Sequence, residues 1–304
     1  MNAWIKLIIS TFVLAVVFFG FDGAGALGLV ADIRPECFTF AVALGLPVFA
    51  LSAWRWQRIA RVNGITLRFT TALRVTAESH FFNQGLPSTL GGDAYRIWIL
   101  THNTVAASDA IGCVVTDRLI GVLALTLLVA LTQFRLVDYI ADYEARLAVW
   151  FLVALVAIAI AVAIALGRLL ARRERGALLS RVAQSTGHLK MMFDHPVELA
   201  AVVLAGLGGH CLLALVFFAL ALGLNVPLTA TQAVTLFPTV FLLSMMPITI
   251  AGWGVREAIL VTALKLFGVG SAAAIALGLS FGICLLLISI PGALLWMIDR
   301  ERVA

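Results

Sequence analysis

Long apolar runs separated by short polar connections dominate this chain. Uninterrupted apolar stretches lie near residues 4–21, 38–54, 111–134, 147–167, 197–222 and 271–298. Each is close to the ~20 residues a helix needs to cross the hydrocarbon of a bilayer, which predicts six crossings. The first run, with Lys6 near its start and Ala24-Gly25-Ala26 after it, has the outline of a cleavable signal sequence. In a chain that is apolar throughout, it is read as a retained anchor. Two further regions, 65–104 and 229–268, are apolar but broken near the middle by Pro and Gly. Interrupted backbone at membrane depth is tolerated only where protein or a water-filled cavity satisfies its N–H and C=O groups. Each broken region is therefore expected to be a re-entrant hairpin of half-helices that enters and leaves on one face.

Composition agrees with the pattern. Hydrophobic residues make up 62% of the 304 residues and charged ones 12%, where soluble domains carry about 25% charged residues, and the mean hydropathy is +1.06. The expected class is an all-α polytopic membrane protein. Spans and short loops use nearly all of residues 1–304, leaving no room for a separate soluble domain of ~100 residues. The reading is one integral membrane domain with candidate repeat halves at 38–135 and 197–298. The net charge of +5 follows from arginine-rich connections and does not call for a nucleic-acid partner. Arg55, Arg58, Arg61, Arg68 and Arg74 crowd residues 55–80, and Arg168, Arg172, Arg173, Arg175, Arg181 and Lys190 crowd residues 168–195. Basic connections stay in the cytoplasm, which predicts a bacterial inner-membrane protein with both termini inside. Four cysteines without CxxC spacing and five histidines without an HxxxH array offer no metal site. No GxxxxGK[ST] run is present, and no cofactor is expected.

The polar exception is FNQGLPSTLGGDAYR, from Phe82 to Arg96. Set against MPITIAGWGVR, from Met246 to Arg256, it matches Pro87 with Pro247, Thr89 with Thr249, Gly92 with Gly252 and Arg96 with Arg256 at one constant spacing. Paired broken helices entering from opposite faces are the mark of an inverted-topology repeat whose substrate site lies near the midplane. A half-helix that begins after a Gly-rich break points unpaired N–H groups and the positive end of its dipole into such a site. Arg96 and Arg256 add planar guanidinium forks suited to phosphate oxygens. Asn83, Asp93, Asp117, Arg118 and Glu257 complete the candidate binding set, with Asp93 and Glu257 balancing the arginines. Pro87, Gly91, Gly92, Pro247, Gly252 and Gly254 are assigned to shaping the backbone. A purely structural alternative stands beside this: both arginines pair with Asp93, Asp117 or Glu257 and only hold the fold. Glu78 and His80, just before the motif, are read as interfacial.

These residues carry a resemblance. FFNQGLPSTLGGDAYRIWIL, VVTDRLIGVLAL and LSMMPITIAGWGVREAIL, in that order, resemble the lysylphosphatidylglycerol synthase transmembrane-region family of flippase-like proteins, over about residues 5–298. The family's shared polar positions fall here on Asn83, Pro87, Gly91, Gly92, Asp93, Arg96, Asp117, Arg118, Gly121, Gly252, Gly254, Arg256 and Glu257. Full-length synthases add a soluble aminoacyl-transferase domain. For this chain the resemblance implies only the membrane role, translocation of a phospholipid or polyprenyl-phosphate-linked lipid, with no catalytic residue. Two alternatives remain: a non-catalytic partner of a lipid- or glycan-synthesising enzyme, and a polyprenyl-pyrophosphate phosphatase-like enzyme.

Overall fold

Apolar side chains at helical spacing and a lack of β-forming alternation leave helix as the only way to satisfy this backbone in lipid. The computed structural model describes residues 16, 18–85, 91–139, 187–245 and 254–303, with isolated positions between 143 and 158. Every element among them is an α-helix. They are α1 (Gly23–Ala31), α2 (Pro35–Gly45), α3 (Pro47–Val62), α4 (Phe69–Gly85), α5 (Gly91–His102), α6 (Ala107–Tyr139), α7 (Pro196–Gly223), α8 (Ala230–Ser244), α9 (Val255–Lys265) and α10 (Ser271–Val303).

Four stretches are long and apolar enough to cross a membrane: Pro35–Val62, Ala107–Arg135, Pro196–Gly223 and Ser271–Ile298. They coincide with four of the six apolar runs, and the chain is an all-α polytopic membrane protein. The runs at 4–21 and 147–167 fall for the most part outside the described residues.

One boundary differs from the sequence reading. The basic segment after residue 54 was expected to be a connection, yet α3 continues to Val62. Ala53, Trp56, Ile59 and Ala60 are buried, and that spacing gives the helix an apolar face to continue on. The crossing is instead divided at Leu46, between Gly45 and Pro47. There the Leu46 N–H bonds the Ala43 carbonyl and the Phe49 N–H bonds the Leu46 carbonyl.

The two ends of the bundle are tied differently. At one, the Arg34 guanidinium donates to the Leu222 carbonyl and its backbone N–H to Gly223. At the other, Arg58 meets Glu198 at 2.8 Å, while His188 sits 2.6 Å from Asn63 and 3.3 Å from Asp109. Thus α2–α3 runs antiparallel to α7. Between them α6 and α7 touch where Gly206 faces Ala124, the kind of small-residue contact that lets membrane helices close up.

Both broken regions fold as helix pairs. α4 and α5 run antiparallel, because Gly92 bonds Asn83 and Tyr95 bonds Glu78. This pair starts after the six connecting residues 63–68, at the Asn63 end. α8 starts beyond Gly223, at the Arg34 end, with Thr229 and Gln232 capping it reciprocally at 3.2 and 2.8 Å. The pairs therefore enter from opposite ends of the bundle. The breaks themselves, 86–90 and 246–253, with Pro87, Pro247 and Gly252, lie outside the described residues. α8 and α9 pack into the larger core with α7 and α10, where Phe217, Phe237 and Phe281 meet at ring separations of 5.3–6.1 Å. Leu131, Leu204, Met297 and Ile298 are each more than half exposed, an exterior suited to lipid.

Candidate functional site

A cavity of about 190 Å³ opens between the first broken pair and α3, α6, α7 and the end of α8, where Phe241 and Met245 line it. Its polar lining comes from Ser52 and Arg55 on α3, His80 and Asn83 on α4, Asp93 and Arg96 on α5, Asp117 and Arg118 on α6, and His210 on α7. At 1.5 Å rise per residue, Asp117 lies about 12 Å along α6 from Asp109, and His210 about 18 Å along α7 from Glu198. Asp109 and Glu198 belong to the polar end of the bundle, so the lining reaches well into a hydrocarbon layer of about 30 Å. Ionisable side chains at that depth are costly to bury unpaired and mark functional positions.

Asp117 is the centre of the site. Its Oδ1 accepts from Arg55 Nε at 2.7 Å and its Oδ2 from Arg96 Nη1 at 2.9 Å. The three side chains are 3%, 14% and 7% exposed respectively. Arg96 is fixed by more than this pair. Its Nε donates to Ser79 Oγ at 3.1 Å and its Nη2 to Thr76 Oγ1 at 3.4 Å, and the guanidinium lies 5.0 Å over the Trp56 ring, a cation–π contact of about 0.5–2 kcal/mol. A second pair, Arg118 Nε to Asp93 Oδ2 at 2.7 Å, is more open on the arginine side.

The break positions these groups. α5 restarts at Gly91, and its early N–H groups need acceptors. Asn83 on α4 supplies one, its Oδ1 accepting from the Gly92 N–H at 2.9 Å. At Gly92 any Cβ would run into the Ser79 carbonyl and the Asn83 side chain, so glycine is required for α4 and α5 to come this close. Asp93 follows in the first turn, where a carboxylate complements the helix dipole.

The second break is built differently. Gly254 takes φ 86°, a left-handed conformation that favours glycine, and its N–H donates to Glu257 Oε2 at 2.6 Å. Glu257 Oε1 accepts from Arg256 Nη2 at 2.6 Å and Nε at 3.0 Å, while Arg256 lies 5.5 Å over Phe281. Both residues are buried.

Asn83, Asp93, Arg96, Asp117 and Arg118 thus meet in one cavity, and Gly91 and Gly92 open the helix that carries two of them. Arg256 and Glu257 are not among the described residues lining it, because Glu257 turns back to cap its own helix and holds its neighbour there. Glu78 and His80, read from the sequence as interfacial, face the interior of the bundle. Glu78 is fully buried and accepts from Tyr95 Oη at 2.7 Å, and His80 packs 4.9 Å from the Phe49 ring within the cavity wall. Sequence reasoning missed Arg55, Ser79 and Thr76 as members of the network. Arg55 had one signal, its place among residues at helical apolar spacing.

A comparison with curated proteins finds no match. The family model described as "Lysylphosphatidylglycerol synthase TM region" matches residues 3–292, a span that contains both broken pairs and the whole Arg55–Asp117–Arg96 network, and the chain belongs to that family.

Proposed function

We propose that this protein moves a phosphate-bearing lipid between the leaflets of the bacterial inner membrane, without chemical change to the lipid. The observation that carries the reading is the cavity at membrane depth lined by three arginines and two aspartates. Guanidinium forks match phosphate oxygens, and a headgroup shielded by Arg55, Arg96 and Arg118 avoids bare hydrocarbon while its acyl or prenyl tails stay in the bilayer. The helix pairs entering from opposite ends act as an inverted repeat around the path, with both chain termini in the cytoplasm. Arg256 and Glu257 brace the second pair.

Reconstituted liposomes test this with headgroup-labelled phosphatidylglycerol, lysyl-phosphatidylglycerol and undecaprenyl phosphate. Wild type is expected to equilibrate at least one of them across the bilayer. Arg96→Gln is expected to slow it about tenfold or more, equivalent to ~1.4 kcal/mol. Undiminished movement in Arg96→Gln, or no movement of any of these lipids by wild type, overturns the reading.

A further inference from the structure

The arrangement around Asp117 is that of an anion site already filled. A carboxylate presents two oxygens, and here each takes a different guanidinium, Arg55 from α3 and Arg96 from α5, at 2.7 and 2.9 Å. Two oxygens of a phosphate offer the same edge to the same donors. One wall of this slot, Arg96, does not depend on the carboxylate. Arg96 is held independently by Ser79, Thr76 and the Trp56 ring, so it keeps its place when the carboxylate leaves. Arg55, Arg96 and Asp117 all line the cavity, so an incoming anion reaches the slot without entering the packed core.

We infer that Asp117 is a built-in stand-in for the lipid phosphate: the headgroup binds by taking its place between Arg55 and Arg96, and on release Asp117 returns. This rests on the lipid-translocation reading and assigns the phosphate its position within it. Two arginines facing each other at this depth without an anion would be costly, and exchange of one anion for another avoids that state in both directions. It also keeps binding weak enough for release, since every bound lipid competes with a carboxylate tethered beside the site. Turnover is favoured at the expense of affinity, as passage across a membrane requires. The displaced carboxylate turns into the cavity it already lines.

The test is binding of dihexanoyl-phosphatidylglycerol to the purified full chain in detergent, read from thermal shift as a function of lipid concentration. Asp117→Asn removes the competitor, and it is expected to bind at least about tenfold more tightly than wild type while unfolding at lower temperature without lipid. Arg96→Gln is expected to lose binding. Because Asp117→Asn takes the carboxylate from two buried arginines, a second comparison uses a background in which only Arg96 loses it. Arg55→Gln with Asp117→Asn must bind more tightly than Arg55→Gln alone. Equal or weaker binding on removal of Asp117 in both comparisons, with binding still abolished by Arg96→Gln, overturns the exchange and leaves the lipid reading standing. Absence of binding in every variant, wild type included, overturns both.

Discussion

Asp117 holds two arginines from different helices, and the cost of losing it scales with its burial. Removing one partner of a buried ion pair costs about 3–5 kcal/mol, most of it the charge left behind. On that basis Glu257→Gln, which strips Arg256 of the carboxylate at 2.6 Å, is expected to destabilise the protein by a few kcal/mol. Thermal unfolding in detergent reads this directly. Gly92→Ala is expected to cost about 1–3 kcal/mol for overpacking, because the added methyl meets the Ser79 backbone carbonyl rather than a flexible side chain. In the liposome assay the same variant is expected to move lipid more slowly, since the displaced helix carries Arg96. At this scale the sequence was partly readable. Asp93, Arg96, Asp117 and Arg118 stand out as charges in apolar or Gly-rich surroundings. Arg55 does not, because Trp54-Arg55-Trp56-Gln57-Arg58 has the composition of a basic membrane border, and its partner lies 62 residues away.

Between elements, ion pairs of similar length differ in what they hold. Arg58–Glu198 joins α3 to α7 at 2.8 Å but is 31% and 28% exposed, and exposed pairs contribute about 0–1 kcal/mol. A double-mutant cycle there is expected to give a coupling below ~1 kcal/mol. The same cycle on Arg96 and Asp117 should give a coupling several times larger, and equal couplings would contradict the burial difference. Pro and Gly in the middle of apolar stretches were enough to place both helix pairs, since few alternatives satisfy broken backbone in lipid. The C-terminal half of α3 was not readable as helix, because charge density and helical periodicity pointed in opposite directions there. Packing of Trp56 and Ile59 into the bundle decided between them. The second break shows another limit. Its alignment with the first sets Arg256 against Arg96 but gives Glu257 no matching carboxylate, and among the described residues it is Glu257 that caps Gly254 and bonds Arg256.

For the whole molecule, crossing number and the entry sides of the two broken pairs must agree. Asn103, after α5, and Asn225, after α7, are exposed and lie at opposite ends of the bundle. After replacement of the partly exposed Cys37 and Cys211, Asn103→Cys and Asn225→Cys are expected to react with a membrane-impermeant maleimide from opposite faces only. Labelling from one face would refute the arrangement. The division of the first crossing at Leu46 then gains a mechanical meaning. Pro47 contributes no N–H to the helix, leaving a joint held by three-residue hydrogen bonds on either side. Arg55 sits eight residues further on, about 12 Å along α3. A bend of roughly 10° at that joint would swing its guanidinium by about 2 Å, enough to part it from Asp117 while Arg96, clamped by its other contacts, stays where it is. A bend at the proline joint would thus be felt at the charged centre as a change in the Arg55–Asp117 separation, with the rest of the site left in place.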